Sequence, residues 1–332
     1  MNIPSDFLEL SQRVGADPLL VQGPGGNTSI KYGRKMWIKA SGTELADALE
    51  KNIFVEVDSH RAIAEIDGVG DGTCRAALVD QSSTLRPSIE TAFHALLPFR
   101  FVVHVHSIAT ICHAASVEGE KLLSQKLAGL EWTFVPYQRP GIPLTRAIRE
   151  VMGTPAAKVY ILKNHGLIVC GESVDEADSL LQEVERRLHL PSRPAEFEIS
   201  IPPAPDGWSF RTGNAFLACE KTAKERAGAA SYYPDHVVFL GPALPVITEN
   251  RIDHFSKSGA AFPVVLVEGV GTLVRDDVRP SAMAMLGCLQ NVLCRVPVDW
   301  TMTGLNKTEE MSLLNWDAEK YRQALAAANG RE

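Results

Sequence analysis

In Phe101-Val-Val-His-Val-His-Ser107, residues Phe101–His106 are a short run rich in β-branched residues and read as a strand. Residues two apart on a strand project from one face, which sets His104 beside His106. Val159–Leu162 and Leu167–Cys170 read as two more strands, around the tight turn Asn164-His165-Gly166. A third imidazole from that turn would complete an open three-histidine site, leaving a coordination position for substrate. Imidazole nitrogen suits Zn, Co, Ni or Fe better than Mg or Ca. On its own, an H-x-H pair is more often a pair of ordinary surface or core histidines. Of the nine histidines, His60, His189, His236 and His254 have nothing around them that resembles a second ligand. His113 reads as structural, and His94 stands one helical turn beyond Glu90, where it could orient that carboxylate or simply pack.

Working outward, residues 5–14 read as an amphipathic helix with Ser5 as N-cap. After the turn-rich Gly23-Pro-Gly-Gly-Asn27 come strands at Thr28–Tyr32, Lys35–Lys39 and Phe54–Val57. Ser88–Leu97 and Val174–Leu188 read as helices. Five prolines between Leu190 and Trp208 predict a linker at 191–208, because proline removes backbone donors and stops helices. It would separate a domain at 1–190 from one at 209–332; a long surface loop within one domain is the alternative. Ile161–Val169 can be laid on Leu266–Val274 without gaps, at a shift of 105 residues that also matches Gly166 to Gly271 and His165 to Val270. The second domain is therefore read as a degenerate copy that has lost its ligand. Chance likeness of two strand–turn–strand–helix units is the alternative.

Apolar residues make up 45% of the 332 and charged residues 22%, ordinary globular usage that can bury a substantial core. The net charge of −7 and the lack of Lys/Arg-rich runs give no reason to expect nucleic acid. No apolar run reaches membrane-spanning length, no signal peptide is apparent, and the six scattered cysteines suit a reducing compartment, so a cytoplasmic protein is expected.

Five motifs in order carry a resemblance: Gly25-Gly-Asn-Thr-Ser29, Ala40-Ser-Gly-Thr43, Arg86-Pro-Ser-Ile-Glu90, His104-Val-His-Ser107 and Lys163-Asn-His-Gly-Leu167. Together they resemble the class II aldolase/adducin-head family, which includes fuculose-phosphate and rhamnulose-phosphate aldolases, pentulose-phosphate epimerases and some decarboxylases. The resemblance implies an α/β fold: a three-layer α/β/α domain around a central, mostly antiparallel sheet, here followed by a second α/β domain. It implies that His104, His106 and His165 hold a divalent metal, zinc first, with manganese, cobalt or iron(II) as alternatives. Glu90 would be the acid/base. Gly26, Asn27, Ser41, Gly42 and Ser88 would form the substrate or phosphate cradle. Many sugar-phosphate members have two serines before the acid; Ile89 replaces the second here, which opens the substrate to carboxylates and unphosphorylated hydroxy-ketones.

The expected activity is that of a divalent-metal-dependent lyase, making or breaking a C–C bond in a small hydroxylated carbonyl compound through a metal-stabilised enediolate. The same site could serve a decarboxylase of a 3-oxo acid or a sugar-phosphate epimerase. A non-catalytic, adducin-like binding module is the alternative of another class. Tyr137 or a neighbouring subunit's residue could supply a second acid/base group. Family enzymes commonly form rings, and the expected assembly is a homodimer or homotetramer.

Overall fold

A computed structural model describes residues 3–194, 196–258 and 262–315; the rest of the expected second domain, 316–332, lies outside the described residues. Strands β1 (Asn27–Tyr32), β2 (Lys35–Lys39), β3 (Phe54–Asp58), β4 (Phe101–Val105), β5 (Trp132–Val135), β6 (Val159–Leu162) and β7 (Gly166–Gly171) form one sheet in the order β3-β2-β1-β4-β7-β6-β5. Every pairing is antiparallel except β5 with β6. Alternate strand residues feed the two faces. Phe101, Val103 and Val105 pack with Phe7 and Leu10 of helix Ser5–Ala16 and with Leu181 and Val184 of helix Val174–Leu188. Val102 packs on the opposite face with Phe93, Leu144 and Ile148 from helices Thr91–Leu96 and Ile142–Val151. This is the three-layer α/β/α arrangement. Each fully buried aliphatic side chain contributes about 1.5–3 kcal/mol, so both faces favour a single register.

Three local expectations need correction. The first helix begins at Ser5 with Pro4 as its N-cap and no side-chain cap, because Ser5 already lies inside the first turn. The helix expected at Ser88–Leu97 starts only at Thr91. The Ser88 hydroxyl accepts from the Glu90 amide, a local turn that competes with helix and holds Ser88 and Glu90 outside it. His106 stands one residue past β4 rather than on it.

Beyond residue 200, β8 (Trp208–Arg211), β9 (Val246–Ile247), β10 (Val264–Val267) and β11 (Gly271–Arg275) form a second sheet in the order β8-β11-β10-β9. This repeats β4-β7-β6-β5, with the same parallel and antiparallel pairings. The register repeats as well. The pairs Val159↔Val169, Ile161↔Leu167 and Leu162↔Gly166 become Val264↔Val274, Leu266↔Thr272 and Val267↔Gly271, each moved on by 105 residues. Within this frame Phe210, opposite Leu273, stands where His104 stands opposite Ile168. Val270 replaces His165.

The two sheets are not independent. Helix Ile108–Ala114 is buried along its whole length; its Ile108, Ile111 and Cys112 share a core with Leu286, Leu289 and Leu293. The proline-rich segment contains no helix or strand before Trp208 among the described residues. It is nevertheless anchored: Arg193 donates from its backbone to Cys294 O at 2.7 Å and from its guanidinium to Leu293 O at 2.9 Å. All six cysteines are free thiols, and no described helix is long and apolar enough to cross a membrane.

His113 and His236 are fully buried, and burial pushes their imidazoles down, to about 4 and about 3. Both rings are neutral in the folded chain, whereas the unfolded chain takes up protons near 6.5. Below that pH the unfolded state binds protons that the folded state does not, so stability falls with acid until the folded values are reached. Denaturant unfolding of metal-free protein should show a loss of roughly 1 kcal/mol for each of these rings between pH 7 and 5.5. A stability that is flat or rises over that interval would contradict neutral burial.

Candidate metal centre

The three imidazoles converge from β4, the residue after it, and the β6–β7 turn. Their ring centroids lie 5.0–5.2 Å apart, one nitrogen from each lies within 4.8 Å of the others, and all three side chains are buried. Glycine makes the approach possible. A Cβ on Gly166 would fall 2.3 Å from Val105 O, and one on Gly26, which has φ +57°, 2.9 Å from His104 O.

His104 Nδ1 lies 3.0 Å from Leu167 O. A carbonyl only accepts, so Nδ1 carries the proton and Nε2 keeps its lone pair. Burial holds His104 below its ordinary value and takes His165 to about 3, with neighbouring imidazoles adding to the effect; both rings are therefore neutral, as metal ligands must be. His104 Nε2, His165 Nδ1 and Glu90 Oε1 are buried without hydrogen-bond partners. Each such atom costs about 1–3 kcal/mol, a concentration of cost that a bound cation would offset.

Glu90 faces two of the rings, with Oε2 3.4 Å from His104 Nε2 and Oε1 3.6 Å from His165 Nε2. Two ligand atoms on one tetrahedral ion sit roughly 3.3 Å apart; the carboxylate lies near that spacing from two rings, and the three imidazole nitrogens, within 4.8 Å of one another, are close enough to converge on one divalent cation. Burial opposes ionisation of Glu90. The Asn27 hydrogen bond favours it, and the carboxyl lies below its usual value, the more so whenever His104 or His165 carries a proton.

Asn27 Nδ2 donates to Glu90 Oε2 at 2.8 Å and to Ser88 Oγ at 3.2 Å. His94 meets Glu90 only through its backbone N–H, which donates to Glu90 O at 3.4 Å; its ring is bonded elsewhere. Its Nε2 meets Asn27 Oδ1, and its Nδ1 lies 2.7 Å from Ser29 Oγ. Because an amide oxygen only accepts, His94 donates from Nε2 and receives the Ser29 proton on Nδ1. Burial lowers His94 well below its ordinary value, which preserves this neutral form. The chain Ser29–His94–Asn27 thus fixes one carboxylate oxygen of Glu90 and leaves the other toward the cavity.

One cavity is lined by Gly26, Asn27, Ser41, Gly42, Ser88 and Glu90, together with His106 and His165; His104 is fully buried and is not part of the lining. Ile89 also lines it. Tyr137 does not: its hydroxyl is buried, and burial raises its pKa, away from useful proton exchange. Two charged lining residues were not anticipated. Lys39 is buried, with Nζ donating to Pro24 O at 2.8 Å and Thr43 O at 2.7 Å. Asp235 arrives from the second half, its Oδ2 3.3 Å from His106 Nδ1. Both had one signal in common, a charge inside an apolar run: Ile38-Lys39-Ala40 and Tyr233-Pro-Asp-His-Val237.

The chain is 32% identical over 211 residues to a Bacillus subtilis protein named uncharacterized oxidoreductase YuxG, covering 56% of this chain and 30% of that one. It is 29% identical over 181 residues to an L-fuculose phosphate aldolase of Haemophilus influenzae, covering 50% of this chain and 71% of that one. The match thus spans less than a third of the length of the first of these relatives. Among solved structures, the N-terminal class II aldolase domain of a conserved Thermoplasma acidophilum protein aligns with 25% identity and a TM-score of 0.48, over 55% of this chain and 90% of that one. An L-fuculose-1-phosphate aldolase of Thermus thermophilus aligns with 16% identity and a TM-score of 0.40, over 55% and 89%. Residues 6–190 match the family described as the class II aldolase and adducin N-terminal domain, and the chain belongs to that family.

Proposed function

We propose that the protein is a metal-dependent carbon–carbon lyase of the aldolase type, acting on a small hydroxylated carbonyl compound. The observation that carries this reading is the buried triad of His104, His106 and His165 with the Glu90 carboxylate against it. The three imidazoles would hold a divalent cation, zinc by preference, which would supply Lewis-acid stabilisation of the negative charge that develops on the substrate oxygens. Glu90 moves the proton: Asn27 holds Oε2, and Oε1 exchanges a proton with the reacting hydroxyl or carbon. Retention of the whole set in one chain speaks against a non-catalytic binding module.

Gly26, Asn27, Ser41, Gly42 and Ser88 would cradle an anionic end of the substrate, with the buried Lys39 ammonium adding positive charge. Ile89 on the same wall disfavours a densely hydrogen-bonded phosphate and leaves room for a carboxylate. In this reading the chain divides into a catalytic domain at 1–190 and a second domain from 209 onward, with one active centre per chain. It works in the cytoplasm, and a homodimer or homotetramer is its working form.

The test is a turnover screen of zinc-loaded full-length protein on ketose phosphates, free hydroxy-ketones and 3-oxo acids. Aldehyde and ketone fragments from one of the first two groups, abolished by a chelator and restored by metal, are expected. Release of carbon dioxide from a 3-oxo acid alone would replace the aldolase reading with the decarboxylase one. Turnover indifferent to the chelator would overturn both.

A further inference from the structure

The second half of the chain carries no copy of the imidazole triad, yet it reaches the triad at two points. Asp235, in the first turn of helix Pro234–Leu240, is buried on the cavity wall with Oδ2 3.3 Å from His106 Nδ1. Asn164, next to His165, holds a left-handed backbone at φ 52°. Its Nδ2 donates to Tyr232 O at 3.0 Å and to Thr303 O at 2.7 Å. Asp235 thus faces the His106 ring at ion-pair distance, and Asn164 ties down the turn that carries His165. His104, the third, is braced within its own sheet by Leu167 O.

A metal-ligating imidazole generally donates its outer N–H to a carboxylate or carbonyl, which fixes the tautomer and makes the inner nitrogen a better ligand. Asp235 faces Nδ1 of His106, which leaves Nε2 for the ion. We propose that the second half, having lost ligands of its own, serves as the positioning frame of the first half's metal site. Asp235 orients His106, and Asn164 ties down the turn that carries His165. This rests on reading the triad as a metal site. Both are positioning residues; neither needs to touch substrate. The repeated sheet supports the assignment from another side. With Phe210 and Val270 at the places of His104 and His165, the second sheet has kept its packing surface but not its ligands.

The test uses the full-length chain and zinc, with affinity read by competition against a chromogenic chelator. Wild-type binding decides the triad reading by itself, because a chain that binds no zinc ends that reading whatever Asp235 does. Given binding, Asp235→Asn should weaken zinc affinity about 10–100-fold. Asp235→Glu should recover part of the loss, and Asn164→Gly, which keeps the left-handed backbone, should give a smaller loss in the same direction. The cobalt(II) absorption spectrum of Asp235→Asn should keep its wild-type band intensities, since no ligand is removed. An affinity unchanged within about twofold in a folded Asp235→Asn would overturn the proposal, as would a cobalt spectrum showing one ligand fewer. Nitrogen-15 NMR of the zinc-loaded wild type decides without any variant: Nδ1-protonated, Nε2-coordinated His106 is expected, and coordination through Nδ1 would overturn it.

Discussion

Replacing His104 with alanine should strip the chain of tightly held metal and reduce turnover to background, while the metal-free protein stays folded. His104 is fully buried, and its Nδ1 is committed to Leu167 O, so its Nε2 lone pair is aimed before any ion arrives. Losing it leaves two imidazoles, and the affinity loss should exceed the 10–100-fold typical of changes outside the ligand shell. Turnover should fall by about 10²–10³ or more, the scale of removing one pre-placed stabiliser of developing charge. Metal-free stability should move by no more than ~1–2 kcal/mol. The cavity left beside Phe93 is offset by removal of a buried nitrogen that had no partner. Elemental analysis after dialysis, with circular dichroism and turnover on the same sample, checks all three. A His104→Ala protein that keeps one equivalent of metal would remove this residue from the ligand set.

Glu90→Gln should separate chemistry from metal binding. The glutamine oxygen can still accept from Asn27 Nδ2, so the side chain stays in place, but it can no longer take up or release a proton at the reacting atom. Turnover should drop by roughly 10²–10⁴, the usual contribution of a positioned general acid or base, with KM little changed. Metal should remain, because the three imidazoles are intact. Some weakening is expected, since both carboxylate oxygens lie within 3.6 Å of imidazole nitrogens, but less than in His104→Ala. Steady-state kinetics beside a chelator competition separates the two effects. Complete loss of metal from Glu90→Gln would make the carboxylate an obligatory ligand and end the division of roles.

Much of the first sheet was legible because its signals are local. The apolar run at Phe101, the strand pair around Asn164-His165-Gly166 and the apolar stripe of Val174–Leu188 each state their period within a few residues. Helix Ile108–Ala114 gave no such signal. It is buried on every side between two cores, so its sequence lacks the polar face that reveals a helix at a surface. Ser88 misled as a helix start because its hydroxyl serves a turn at the site, the kind of place where local rules yield to function. The same contrast holds within the metal centre. The histidines and Glu90 could be named because their motifs fall in a telling order. His94 was placed beside Glu90 by helical spacing, but it works through Asn27, a partner 67 residues away. Asp235 lies in the other half of the chain, and only packing of that half against helix Ile108–Ala114 brings it to His106.

The central claim is one divalent cation per chain, held by His104, His106 and His165. Titration of chelator-stripped, full-length protein with zinc, followed by elemental analysis of the protein after gel filtration, tests it most directly. The account predicts one equivalent per chain. An endpoint at zero, or at two with the second ion in the half that carries Phe210 and Val270, would contradict it.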